Sequence, residues 1–388
     1  MSEPIDPCTG LAAARPRLAL VLPGGGARAA YQVGVLKALA ELVPAGAPVP
    51  FRIISGTSAG AIIGCILAAH AGDFRQGVVM LERFVCSFRV EQVYRADAPS
   101  MLRGGLHWLL ALLSGGWLAR APRSVLDNGP LRALLERHVN FAHIAQALEQ
   151  GHLDAVSISA SPYHHPESVA FYAAAAAHAQ SLGAWPQGVP AELCLDHLMA
   201  SAAMPFLFPS VRMDGEYYGD GAMRQVAPLA TAIHLGADRL LAIGVRPLPV
   251  VSRSVVPAGA TQEPSFGQIF GFMLDTLFMD AMHVDLERLQ RDNLLIAAAG
   301  GAVAGMRHIE ALQITPREDF GEIAERHAAD MPRALRTLLR TMGAANPGGR
   351  MLLSYLLFDG AYARELIALG YADALQRRDA LQALLSEA

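Results

Sequence analysis

Two short apolar runs, Leu18 to Leu22 and Phe51 to Ser55, each end in a glycine cluster and then enter a segment of helical apolar spacing. The first passes through Pro23-Gly24-Gly25-Gly26-Ala27-Arg28 into Ala29 to Leu42, where Val33, Leu36 and Leu39 mark one helix face. The second passes through Gly56-Thr57-Ser58-Ala59-Gly60 into Ala61 to Leu67. Further buried strands are expected at Ala155 to Ala160 and Leu240 to Val245. Strands that alternate with helices imply an α/β fold, with a mostly parallel sheet covered by helices on both faces.

The second junction restricts chemistry as well as fold. A serine on a tight strand-to-helix turn is held in a strained conformation with its hydroxyl exposed, and Gly56 and Gly60 fit the places where strand and helix come too close for side chains. The helix that follows points free N–H groups and the positive end of its dipole at the site, which favours an oxyanion. A serine used in acyl transfer needs both. The pentapeptide alone is also what a plain glycine turn would show, so the neighbouring glycine loop matters. Gly24 to Gly26 let consecutive N–H groups converge on one anion at a helix start. A dinucleotide fingerprint is the rival reading, but Ala29 replaces its third glycine and Glu41 lies in the helix rather than after a second strand.

Composition removes other classes. With 388 residues, 53% of them hydrophobic, the chain can bury a large core. Cys8, Cys65, Cys86 and Cys194 lack paired spacing, so neither a disulfide framework nor a zinc site is expected, and Cys65 reads as core. The start Met1-Ser2-Glu3-Pro4-Ile5-Asp6 is acidic where a secretory signal is basic, and a cytoplasmic location, either soluble or peripheral at the membrane, is expected. Gly104 to Leu118 is shorter than the roughly 20 apolar residues of a membrane span. A net charge of −4 argues against nucleic-acid partners. Of the 31 basic residues only Lys37 is a lysine, a bias more simply ascribed to genomic base composition than to phosphate binding.

Two hairpins interrupt the alternation. Ser157 to Ser159 and Val169 to Tyr172 flank a polar turn with His164 and His165, which read as solvated side chains and not metal ligands. Val211 to Met213 and Glu216 to Tyr218 flank Asp214-Gly215, a strong two-residue turn, and deliver Gly219-Asp220-Gly221 to the end of the second strand. Asp127-Asn128-Gly129-Pro130 reads as a capped helix start. Val250 to Gln262 reads as an exposed loop, and the helical pattern after residue 318 breaks at Asn346-Pro347-Gly348-Gly349.

In chain order, Gly24-Gly25-Gly26-Ala27-Arg28, Gly56-Thr57-Ser58-Ala59-Gly60, Ala200-Ser201-Ala202-Ala203-Met204-Pro205-Phe206 and Asp220-Gly221-Ala222 resemble the four signature blocks of patatin-like phospholipases. The resemblance covers roughly residues 17 to 235, and the Leu352 to Asp373 stretch looks like the tail of bacterial cytoplasmic members. It implies a serine acyl-ester hydrolase of lipids with Ser58 as nucleophile, Asp220 as its only catalytic partner, and Gly24, Gly25, Gly26 and Arg28 as the oxyanion hole. No metal or cofactor is implied, and the partner is a lipid or a membrane surface. Ala29 and Ala222 depart from the commoner glycines of these blocks.

On this reading residues 17–235 form the catalytic domain, 236–317 complete its core, and 318–388 form a helical C-terminal extension. The stripe Phe266, Ile269, Phe270, Met273, Leu274, Leu277, Phe278 and Met282 is either core or a greasy face that lines an acyl tunnel or dips into a bilayer, with Phe270, Met273 and Leu277 as candidate substrate residues and Trp108 and Trp117 as companions. A free aspartate titrates at about 3.9, so Asp220 can serve as base only in a partly dehydrated site of fixed geometry; an aspartate so used is expected to stay ionised over the working range, with no rate step at about pH 6.5, where a catalytic histidine would give one. Two other readings stand beside this one. An α/β-hydrolase esterase with a Ser-Asp-His triad needs a histidine within reach of Ser58, and a non-catalytic lipid-binding protein of the same fold would not react with a fluorophosphonate.

Overall fold

The computed structural model describes residues 16–95, 114, 124–247, 263, 265–300, 303, 305–341, 343 and 350–386. The segment Gly104 to Leu118 with Trp108 and Trp117 (Ser114 apart), the Val250 to Gln262 loop and the Asn346 to Gly349 break lie outside them. The alternation begins as expected, with β1 (Leu18–Leu22), α1 (Ala30–Leu42), β2 (Ile53–Thr57), α2 (Ala59–Ala68) and α3 (Phe74–Cys86). Next come α4 (Gly129–His138), α5 (Phe141–Glu149), β3 (Ala155–Pro162), β4 (Val169–Ala174), β5 (Gly188–Pro190) and α6 (Leu195–Ser201). The hairpin of β6 (Val211–Met213) and β7 (Glu216–Asp220) precedes α7 (Pro228–His234), β8 (Arg239–Ile243), α8 (Phe266–Ala298) and β9 (Glu310–Ile314). Among the described residues five α-helices follow: α9 (Phe320–Arg326), α10 (Arg333–Thr341), α11 (Arg350–Leu356), α12 (Gly360–Gln376) and α13 (Arg378–Ser386).

One sheet runs in the order β5-β4-β3-β2-β1-β8-β9, with the β6–β7 hairpin attached through β7 to the end of β3. From β3 to β9 neighbouring strands are parallel, whereas β3 pairs antiparallel with both β4 and β7. Because strand side chains alternate between faces, Leu18, Leu20 and Leu22 enter a core built with α1, α2, α3 and the C-terminal helices. Ala19 and Val21 enter a second core with Leu229 of α7 and Met282, Leu286 and Leu289 of α8. Three layers follow from that alternation.

The C-terminal helices are part of the helical layer. A Cβ at Gly34 of α1 would stand 2.1 Å from the Ile367 carbonyl oxygen, and one at Gly370 of α12 would stand 2.2 Å from that of Tyr31, so α1 and α12 meet backbone to backbone. Asp127 braces its helix start, its Oδ1 accepting from the Gly129 N–H at 2.8 Å, while the N-cap residue Asn128 makes no side-chain cap bond. Among the described residues no helix is long and apolar enough to cross a membrane.

Candidate active site

Strand register brings the separated motifs together. Leu22 of β1 lies opposite Gly56 of β2, so the loop at Gly24 to Gly26 and the turn at Ser58 leave adjacent strand ends. Thr57 lies opposite Ser159 of β3, and the next β3 residue, Ala160, lies opposite Asp220 of β7. Ser58 and Asp220 therefore converge across one strand. This is the carboxyl end of the parallel strands, where open α/β sheets form their crevice.

Ser58 sits at φ 54° and ψ −127°, a conformation that L residues rarely adopt. The elbow glycines are sterically required, since a Cβ at Gly56 would lie 2.5 Å from Ala61 Cα and one at Gly60 would lie 2.2 Å from the Leu22 carbonyl oxygen. The Ser58 N–H donates to Ser201 Oγ at 2.8 Å, and that hydroxyl in turn donates to the Ser159 carbonyl at 2.6 Å. Thr57 Oγ1 donates to Gln225 Oε1, and Gln225 Nε2 donates to Ser159 Oγ. The turn is thus tied to β3 from both sides.

Asp220 is 1% exposed. Its Oδ1 accepts from the Ala222 N–H at 3.0 Å. The Ser58 hydroxyl is near enough to favour the charged carboxylate, yet Oδ2 has no partner in strict hydrogen-bond geometry. A catalytic hydrogen bond of imperfect geometry is common before substrate tightens a site. Burial pushes the carboxyl up to about 7 against the opposing pull of Ser58 and the Ala222 N–H. The expectation of a carboxylate ionised far below neutrality is therefore corrected, because water that would stabilise its charge is excluded.

Beside Ser58 opens an apolar cavity, lined by Gly26, Ala27 and Ala59, by Ile62 and Ile63 of α2, by Phe84 and Phe88, by Met204 and Phe208, and by Leu357, Phe358 and Ala363 from the C-terminal region. Among the described residues no histidine lines this cavity or hydrogen-bonds Asp220. His164 and His165 are exposed in the β3–β4 turn, and no cluster of His, Cys, Asp and Glu among the described residues suits a metal ion.

The sequence model of the patatin-like phospholipase family matches residues 20–233, more than half of the chain. The chain belongs to that family. Among curated relatives, lysophospholipase NTE1 of Chaetomium globosum is 42% identical over 76 residues, 20% of this chain and 4% of that protein. Patatin-like phospholipase domain-containing protein 7 of Mus musculus is 55% identical over 51 residues, 13% of this chain and 3% of that protein. Only a small part of each relative is thus matched. Among solved structures, a human GIVD cytosolic phospholipase A2 in complex with methyl γ-linolenyl fluorophosphonate aligns over 96% of this chain and 59% of that one, with 12% identity and a TM-score of 0.43. VipD of Legionella pneumophila aligns over 95% and 67%, with 12% identity and a TM-score of 0.34.

In this patatin-like phospholipase chain the glycine loop keeps its geometry through tight packing. Gly26 has φ +55°, and a Cβ there would stand 2.5 Å from the Tyr355 carbonyl oxygen. Among the described residues the N–H groups of Gly25 and Gly26 have no protein acceptor. Arg28 differs from the oxyanion role the resemblance implied. Its N–H donates to the Gly25 carbonyl, while its buried guanidinium donates to Asp275 Oδ1 at 3.0 Å and Ser354 Oγ at 2.7 Å and stacks over the Tyr355 ring. These bonds clamp the loop to α8 and α11, and Arg28 does not line the cavity beside Ser58.

Two of the candidate acyl contacts lie apart from this cavity. Phe270 is buried between the Phe266 and Phe206 rings and Met273 is exposed, and neither lines the cavity. The Leu277 side chain lies outside the described residues. Leu357, Phe358 and Ala363 were missed because nothing in their local pattern places them beside a turn nearly three hundred residues earlier. Ser201 lay within the third signature block without a role. Replacing it by alanine leaves the buried Ser58 N–H and Ser159 carbonyl without that hydroxyl, so Ser201→Ala should lose about 1–3 kcal/mol of stability. A urea titration measures it, and turnover should fall as the elbow loosens.

Proposed function

We propose that the protein hydrolyses acyl esters of lipids, phospholipids or lysophospholipids, through a Ser58–Asp220 dyad. The observation that carries the reading is a strained serine facing a buried, otherwise under-partnered aspartate at the wall of an apolar cavity. Ser58 Oγ attacks the ester carbonyl carbon as its proton passes to Asp220, and the carbonyl oxygen becomes an oxyanion received by N–H groups of the Gly24 to Gly26 loop. The C–O bond to the leaving alcohol then breaks, and Asp220 returns the proton to that oxygen. Water, deprotonated by Asp220, attacks the acyl-enzyme and releases the fatty acid and Ser58. These steps require neither a metal nor a cofactor.

The absence of a cavity histidine among the described residues favours the dyad over a triad esterase. In this account residues 17–235 supply the catalytic groups, 236–317 complete the sheet and 318–388 close the acyl cavity. Free thiols at Cys65, Cys86 and Cys194 support a reducing, cytoplasmic location. A panel of phospholipids, lysophospholipids and acylglycerols, with Ser58→Ala as blank, tests the substrate class. Fatty-acid release from none of them would reject it.

The cavity predicts chain-length selection. Ile62→Trp fills it from the α2 side. If the change denies a seat to three methylenes at about 0.8 kcal/mol each, palmitoyl esters should lose roughly fifty-fold in kcat/KM while acetyl esters change little. Equal losses on both would place the acyl chain elsewhere.

A further inference from the structure

We propose that the first three turns of α8, together with Phe206, form the surface on which the protein docks to a lipid bilayer, an inference that rests on the lipid-hydrolase reading above. This stretch of helix is apolar on both sides, with Phe270 and Leu274 buried in the core. Between Phe266 and Thr276 its only charged residue is Asp275, which is buried and holds Arg28 behind the glycine loop. Its outward arc instead carries Phe266 (64% exposed), Ile269 (48%), Phe272 (72%) and Met273 (45%). A surface helix ordinarily shows the reverse, and an exposed apolar arc marks a face that meets something apolar. Beyond Met282 the helix regains charge, with Glu287, Arg288, Arg291 and Asp292.

The position of this face selects the occupant. Phe206 is 64% exposed and held at φ +65°, an uncommon conformation for a bulky residue, while Val125 and Leu126 N–H groups bind the Phe206 and Leu207 carbonyls. Its neighbours Met204 and Phe208 line the cavity beside Ser58, and its ring meets Phe270 of α8 at 6.3 Å. Through Phe206 the apolar arc thus meets the segment whose Met204 and Phe208 form part of the cavity wall, which places a bilayer-facing surface next to the acyl site proposed above. Ser265, which caps α8, donates to the Gly343 carbonyl just beyond α10. That helix presents Arg333 and Arg340, both exposed and without a carboxylate partner among the described residues. Cations beside an interfacial apolar face suit an anionic membrane surface.

The test is co-sedimentation with vesicles of phosphatidylcholine alone and of phosphatidylcholine mixed with phosphatidylglycerol, in a Ser58→Ala background so that lipid is not consumed. The Phe266→Asp/Phe272→Asp variant should bind at least about tenfold more weakly to both vesicles. Arg333→Gln/Arg340→Gln should lose the preference for the anionic mixture, by about fivefold per arginine. With Ser58 intact, both pairs should hydrolyse a soluble acetyl ester within about twofold of the parent. Phe272→Ser, at the most exposed position, should keep the parental melting temperature and still lose binding. Unchanged vesicle binding overturns the proposal. So does a parent that is dimeric without lipid and becomes monomeric in the aromatic variant, since a second copy would then cover the face. Loss of acetyl-ester turnover in step with melting temperature would show that the arc is packing. Intact vesicle binding with no hydrolysis of any ester would instead reject the catalytic reading and leave the docking surface standing.

Discussion

Asp220→Asn should abolish turnover and, at pH 8, raise the melting temperature. The substitution keeps the shape and the acceptor for the Ala222 N–H but removes the proton acceptor, so kcat should fall by several orders of magnitude. The stability gain follows from the direction of the pKa shift. The carboxyl is raised from 3.8 to about 7 in the folded chain, mainly by burial. The unfolded chain therefore holds the ionised form more readily, and folding loses stability as pH rises from 3.8 towards 7 and is fully penalised above it. Asparagine escapes that penalty, which is at most about 4 kcal/mol. Thermal melts at pH 8 and pH 4 check this, with the gain present at the first and nearly gone at the second. The parent's kcat/KM should rise with pH through about 7, because Asp220 must be ionised to accept the serine proton. A histidine would give the same limb, so the aspartate variant, not the profile, separates dyad from triad.

Gly26→Ala should lower kcat by roughly two to three orders of magnitude, the scale of losing one oxyanion donor. The added Cβ would lie 2.5 Å from the Tyr355 backbone carbonyl at φ +55°, so the loop must move. Gly25→Ala meets instead the Val245 side chain at 2.6 Å, which a second change, Val245→Ala, can relieve. Turnover should thus recover in the Gly25→Ala/Val245→Ala pair, while Gly26→Ala has no such rescue. Near-normal turnover of folded Gly26→Ala would remove the loop from the mechanism.

Features enforced within a few residues were legible in the sequence. Leu18 to Leu22 was read to its ends because a buried parallel strand is a continuous apolar run, and Gly56 and Gly60 were read because strand-to-helix contact excludes side chains there. The Asp214-Gly215 hairpin was legible for the same local reason. Features set by register or by distant covering were not. Asp220 is one Asp-Gly among three in the chain, and only the family resemblance singled it out; its approach to Ser58 depends on the pairing of β2, β3 and β7. Its titration depends on burial that no local pattern encodes. The Phe266 to Met282 stripe was visible as helical spacing, but spacing does not reveal which side is covered, and the cavity beside Ser58 is lined instead by Leu357 and Phe358. Likewise Arg28 was read as facing the reaction, because its partner Asp275 lies on an element far along the chain.

The most direct test is covalent. A fluorophosphonate with a long alkyl chain, incubated with the full chain and mapped by peptide mass spectrometry, should modify Ser58 and no other residue, at a rate that climbs through about pH 7 as Asp220 ionises. The adduct should be missing in Ser58→Ala and reduced by orders of magnitude in Asp220→Asn. Absence of an adduct on the folded parent, or equal labelling of Asp220→Asn, would contradict a Ser58–Asp220 dyad.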